Sequence, residues 1–252
     1  MNCAKVILQI RYLRRNDRRT PLFYKREVID KNPRIHGITL TVKYGPEERG
    51  GKGMKIYDIS QEVFGCRVFP GDPSPQREII LSISKGDICN LTAFNMCAHN
   101  GTHVDAPYHF INDGKTLDQV DPDRFIGYAY VAGHEGDISA EDAEAILEAA
   151  KKKDERAAER ILIKGNATLT EDGAAVFAKA GIKLYGNESQ TVGPEDAPMN
   201  VHLIMLGAEV VLLEGIRLEA VPEGVYLLHA APINLGGADG APCRATLIAD
   251  LQ

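Results

Sequence analysis

The chain has 252 residues, of which 44% are hydrophobic and 25% charged, with 35 acidic against 29 basic side chains. That composition suits one globular core of ordinary size, and no stretch approaches the roughly 20 consecutive apolar residues that cross a bilayer. The five cysteines (Cys3, Cys66, Cys89, Cys97 and Cys243) are odd in number and lack CxxC spacing, which argues against a disulfide framework and predicts reduced thiols in a cytoplasmic protein.

Charge is unevenly spread. Residues 1–53 hold 13 Lys+Arg against 5 Asp+Glu, and the rest of the chain holds 16 against 30. A basic leader on an acidic body raises the reading of a nucleic-acid arm. A different expectation is favoured: residues 1–53 are a disordered extension or a mis-assigned start. Hydrophobic alternation begins only at Met54, in "MKIYDIS", and the preceding "EERGGKG" is encodable by purine-rich codons, as a translated ribosome-binding site would be. The leader also lacks the apolar run and small-residue cleavage site of a secretory signal. Neither nucleic acid nor membrane is therefore expected as a partner, and residues 54–252 read as one domain.

In chain order, "KIYDIS" alternates and predicts a strand. "VFPGDPSP" (68–75) is a turn-rich loop. "EIILSIS" predicts a second strand, and "NLTAFNMCAH" a third that runs straight into the stretch after it. "YAYVAG" is another short strand. Ser139 then caps a helix over "SAEDAEAILEAAKK", with Asp142 at the third position and an acidic first turn. "RILIK" (160–164) has the composition of a buried strand. Thr170 caps "EDGAAVFAKA", and Gly181 stands where a helix-terminating glycine belongs. "IKLYG" is a strand, "PEDAPMNVHLIMLG" a helix from near Pro194 to Gly207, and "EVVLLEGI", "GVYLLHA" and "RATLIAD" are closing strands. Strands dominate, with about three helices between them. The fold class is α/β: a mixed sheet covered by helices rather than a doubly wound parallel one.

The densest chemistry is "HNGTHVDAPYH", His99 to His109. His99, His103, Asp105 and His109 share parity, so a straight strand would show all four on one face. At about 3.3 Å per residue its ends would lie roughly 33 Å apart, too far for one site. The chain must fold back, and Gly101 and Pro107 are the residues that permit it; a continuous helix would carry both interruptions. Imidazole and carboxylate at this density suit Zn²⁺ or Mn²⁺. Cys97 beside the motif is expected to be a small buried hydrophobe. Further ligands must come from elsewhere, and His134, His202, His229, Glu188, Glu209 and Glu214 are the candidates. Glu214 sits in an apolar strand, where a carboxylate needs compensation: a metal, an ion pair or a solvent-facing position.

The sequence resembles the cyclase family of metal-dependent hydrolases, which includes kynurenine formamidases and isatin hydrolases. The resemblance spans nearly all of residues 54–252, through "YDIS", "FPGDP", the long pattern HxGTHxDxPxH, "GNESQTVGP", the pair His202 and Glu214, and "GADGAPCRA". It implies a swivelling β/β/α domain with a barrel-like sheet, assembled as a homodimer or homotetramer. It implies that His99, His103 and Asp105 hold a first divalent ion, that His202 and Glu214 complete a site for one or two ions, and that His109 is the catalytic acid/base. Zn²⁺ is the first choice and Mn²⁺ the second. Phe69 matches the position of a substrate-stacking aromatic that is usually tryptophan, a residue this chain lacks. The implied reaction is hydrolysis of a small-molecule amide, arylformamidase-like. The alternatives are a cyclic amide hydrolase such as isatin hydrolase, or a non-catalytic metal-binding protein of the same fold. Outside the motif, "GGADGAPCR" is read as a pocket wall or a tight surface loop, His134 and His229 as structural or exposed, and Thr102 as a hydrogen-bonding neighbour of the site.

Overall fold

The computed structural model describes residues 39–41 and 53–249. The expectation for the leader thus lies largely outside the described residues; of it, Thr39–Thr41 is described, as strand β1. After β1 come β2 (Lys55–Asp58), β3 (Gln76–Leu81), β4 (Leu91–Asn95), β5 (His103–Asp105), β6 (Ile126–Gly133) and β7 (Gly136–Ile138). Helix α1 (Ala140–Lys153) leads to β8 (Arg160–Lys164) and β9 (Ala167–Leu169), and α2 (Glu171–Ala180) to β10 (Leu184–Asn187). Helix α3 (Met199–Gly207), β11 (Val211–Glu214), β12 (Gly224–His229), β13 (Gly240–Pro242) and β14 (Thr246–Ala249) complete the described chain.

Ten strands form one curled, barrel-like sheet in the order β1-β2-β14-β12-β6-β8-β10-β11-β5-β13. Its centre, β6-β8-β10-β11, is parallel, as helix-strand units require, and both flanks are antiparallel. The α/β class with a mixed sheet is therefore as expected. Period-two alternation sorts the side chains. Ile161 and Ile163 of β8 join the cluster beneath the helices, with Ile146, Phe177 and Met205. Leu162, between them, joins Val104, Val131 and Leu213 on the opposite face. A strand buried on both faces must be apolar throughout, which is why "RILIK" reads as it does.

The helix ends follow local chemistry. Ser139 and Asp142 form a reciprocal capping box on α1, Thr170 Oγ1 accepts from Gly173 N, and Gly181 closes α2 at φ +68°. The third helix is shorter than expected. It begins at Met199, not near Pro194, because the residue before Pro198 is sterically excluded from helical backbone. "NLTAFNMCAH" is also interrupted. β4 stops at Asn95, and Asn100 folds the next stretch into a tight turn by accepting from Cys97 N at 2.9 Å. β3 and β4 pair only with each other in a separate hairpin. The strands β7, β9 and β13, three residues each, are too short to show a period-two pattern.

Candidate metal centre and active site

The site forms where β5 meets β11. Their antiparallel register sets Glu214 opposite His103, Leu213 opposite Val104 and Leu212 opposite Asp105. Alternation sends Val104 and Leu213 into one core and leaves His103, Asp105 and Glu214 on the other face, the face on which Leu212 packs beneath the helices. The motif does fold back, as its glycine and proline require. His99 lies in the turn before β5, Gly101 has φ +66°, and His109 lies on a short helical turn begun by Pro107. α3 delivers His202 on its buried side, beside Val201 and Met205.

Five side chains converge. His103 Nε2 lies 3.3 Å from Glu214 Oε2 and 3.4 Å from Asp105 Oδ1. His202 Nε2 lies 3.2 Å from Glu214 Oε1 and 3.7 Å from Asp105 Oδ2. His99 Nδ1 lies 2.9 Å from Asp105 Oδ1. His109 stacks on His99, centroids 3.9 Å apart. The outer nitrogens of two of these histidines are tied to the backbone: His103 Nδ1 donates to Gly101 O at 3.0 Å, and His202 Nδ1 to Pro198 O at 2.8 Å. Each bond turns Nε2 toward the carboxylates, as outer partners of metal ligands do.

These residues fit a divalent cation. Asp105 is fully buried and its Oδ2 has no hydrogen-bond partner, a costly state for a carboxylate unless a cation compensates it. Three imidazoles and two carboxylates are a hard-to-borderline donor set. The electrostatics agree. Burial alone would lower the His99 pKa, but Asp105 and then Asp239 raise it to about 11. His202 is raised to about 9 against its desolvation, chiefly by Glu214 and Asp105. His103 is raised, against burial, by Glu214 and Asp105, and Asp105 is held well below the usual carboxylate range, against burial, by the histidines. Protons hold the charge balance that an ion would take over.

Beyond the ligands, Gln190 Nε2 donates to Gly101 O at 2.9 Å, and Gln61 Nε2 to Gln190 Oε1 and Gly215 O. Thr102, the expected neighbour, is buried and donates to Gly215 O at 2.7 Å. The other candidates go elsewhere. His134 bonds the Asp137 carbonyl, His229 is exposed, Glu188 accepts from Gly165 N and Leu218 N, and Glu209 pairs with Lys115. Cys97, expected as a buried hydrophobe, is only half-buried and faces the pocket, with Sγ 3.9 Å from Asp72. Asp239 was missed. Its oxygen lies 2.8 Å from His99 Nε2 and 3.2 Å from His109 Nδ1. The available signal was its place in "GADGAPCRA". That stretch divides between its two readings: Gly236 and Gly237 form an exposed turn, Asp239 lines the pocket, and residues 240–242 pair with β5 as β13.

The cluster opens into a cavity of about 410 Å³, whose apolar walls include Phe69, Phe110 and Pro198. Phe110 stacks on His202, centroids 4.5 Å apart. A second cavity of about 430 Å³, near Arg124 and Lys183, is lined by charges already paired, Lys115 with Glu209 and Lys183 with Asp123.

The Cyclase family model matches residues 38–194. The chain belongs to the cyclase family. A kynurenine formamidase of Salinibacter ruber is 33% identical over 77% of this chain and 97% of its own length. Among solved structures, one titled a potential metal-dependent hydrolase with cyclase activity is 25% identical, with TM-score 0.65, covering 79% of this chain and 99% of that one. Isatin hydrolase A of Labrenzia aggregata shares the fold at TM-score 0.66 and 18% identity, over 78% of this chain and 94% of its own. In this family member, no described helix is long and apolar enough to cross a membrane.

Proposed function

We propose that this cyclase-family protein is a metal-dependent amide hydrolase of the arylformamidase type, acting on N-formylkynurenine or a close analogue in the cytoplasm. The observation that carries the reading is one buried cluster of His99, His103, Asp105, His202 and Glu214 with His109 at its mouth, in a chain whose curated relatives are kynurenine formamidases. The five cluster residues would hold the ion, Zn²⁺ first and Mn²⁺ second. A divalent ion there supplies a Lewis acid for the carbonyl and lowers the pKa of a coordinated water toward about 7.

The chain's own residues do the rest. Phe69 and Phe110 offer apolar faces to an aryl ring. Asp105 and Glu214 accept hydrogen bonds and donate none when ionised, so they offset cationic charge without competing as donors. Water adds to the formamide carbon, the C–N bond breaks, and His109 passes a proton to the leaving nitrogen, releasing formate and the aryl amine. General acid catalysis of this kind contributes about 10²–10⁴-fold.

The test is hydrolysis of N-formylkynurenine by protein stripped of metal and reloaded separately with zinc and with manganese. Turnover lost on stripping and restored by one ion supports the reading and names the ion. Tight metal binding without turnover, or turnover of cyclic amides alone, overturns the substrate.

The working unit in this reading is a homo-oligomer. The β3–β4 hairpin exposes Ile79, Ile80, Leu91 and Phe94, and Ile88 at its turn is 95% exposed. A lone two-stranded hairpin is marginal in water. Its base carries the pocket residues Phe69, Asp72 and Cys97, so a second copy seated on it would also finish the pocket rim.

A further inference from the structure

We infer that Asp239 is the positioning residue of His109. By accepting from Nδ1, it fixes the ring's tautomer and orientation and leaves Nε2 as the nitrogen that exchanges the proton. The inference rests on the reading of His109 as acid/base, and it names a residue that reading does not supply.

Asp239 stands on held backbone. Its carbonyl accepts from Ala106 N at 2.9 Å, and the Ala238 carbonyl accepts from Leu117 N at 2.9 Å. Gly237 N donates to Asp118 Oδ1 at 2.8 Å. The next residue, Gly240, begins β13 directly opposite Asp105 on β5. A Cβ on Gly240 would lie 2.7 Å from His99 Cε1 and 2.6 Å from Val104 O, so only glycine lets this strand close against the imidazole. The carboxylate is therefore delivered to the ligand cluster by sheet pairing.

From there one oxygen, Oδ2, meets two rings. It lies 2.8 Å from His99 Nε2 and 3.2 Å from His109 Nδ1, and the rings themselves stack at an interplanar angle of 24°. The His109 side chain makes no other hydrogen bond among the described residues. Without Asp239 it keeps only ring contacts, to His99, Phe110 and His202, and these do not distinguish Nδ1 from Nε2. A carboxylate on Nδ1–H selects the tautomer and holds the ring, the role the aspartate plays in serine-hydrolase triads. The same oxygen takes the outer nitrogen of His99 and leaves Nδ1 turned to Asp105, the arrangement an outer partner gives a metal-bound imidazole. The Asp239 side chain is 42% exposed, so exchanging it for Asn asks little of the fold.

The experiment compares Asp239→Asn and Asp239→Ala with the native protein, each also in a His109→Ala background. Metal content, kinetics at saturating metal, and ¹⁵N spectra of the histidines in metal-free protein are recorded. Expected results are a fall of about 100-fold in kcat with KM within about twofold, metal affinity weaker by about tenfold through His99, and no further loss of kcat when the change is made on His109→Ala. In the spectra His109 is protonated at Nδ1 in the native protein and becomes a tautomer mixture in Asp239→Ala. Losses in kcat that multiply regardless of His109, or a His109 that stays Nδ1-protonated without Asp239, would overturn the inference. The spectra need no substrate, so they decide the matter even if formamide hydrolysis fails.

Discussion

Asp105 is the junction of the site: fully buried, within 3.7 Å of three imidazoles, and with one oxygen unpartnered by any hydrogen bond. Asp105→Ala, like His103→Ala, is expected to remove bound metal and activity together, which elemental analysis beside an activity assay will show. His109→Ala should keep the metal and lose about 10²–10⁴-fold in kcat; full rate in that variant would end the acid/base assignment. A quieter dependence runs through Gly215. It has φ +68°, and a Cβ there would lie 2.3 Å from Gly101 O, the carbonyl that orients both His103 and Gln190. Gly215→Ala should therefore cost about 1–3 kcal/mol from backbone strain alone and also weaken metal binding. Chemical denaturation and a metal titration measure the two effects separately.

Secondary-structure elements divide into those held by local chemistry and those held by packing. Ser139→Ala removes the α1 capping box and should destabilise by about 1 kcal/mol without touching the site. Leu162→Ala in β8 opens a cavity in the buried face of the central sheet and should cost about 2–5 kcal/mol, a fall in Tm of roughly 2–4 °C per kcal/mol for a domain of this size. The short strands β5 and β13 have neither strong caps nor length. They exist because β11 and β5 offer paired edges, and they carry His103, Asp105 and, just outside β13, Asp239. Changes to that edge are expected to fall on metal affinity more than on thermal stability.

For the protein as one body, the ionised cluster predicts opposite pH responses with and without metal. The raised histidines stabilise the metal-free fold fully below about pH 6.5, and that contribution is lost as pH rises through about 9 for His202 and about 11 for His99. The depressed Asp105 contributes above its unfolded value near 3.8 and loses its contribution as pH falls. An ion competes with the same protons and binds more tightly as pH rises. The gain in Tm on reloading stripped protein should thus be larger near pH 8.5 than near pH 6; scanning fluorimetry at the two values would reveal a reversed or flat dependence. Assembly is tested separately. Ile79→Asp with Phe94→Asp on the exposed hairpin should convert a homo-oligomer to monomers by light scattering, with loss of turnover if the partner completes the pocket.

Much of this was legible along the chain. The capping residues, the buried "RILIK" strand and the His99–His109 motif declare themselves because each depends on neighbours a few positions away: a side chain reaching its own backbone, a short apolar run, three histidines and an aspartate with a glycine and a proline to bend them. The resemblance to the cyclase family supplied His202 and Glu214, which local spacing left among six candidates. The helix start at Met199 has a local marker in Pro198, which disfavours helical backbone at the residue before it. What no local pattern contained is the pairing of β5 with β11 on one side and β13 on the other. That register is set by burying Val104 and Leu213 in one core and Leu212 in the other. Only after that choice does Glu214 face His103, and Asp239 reach the outer nitrogens of His99 and His109. Such contacts join residues more than a hundred positions apart, and it is the packing of two apolar layers that decides them.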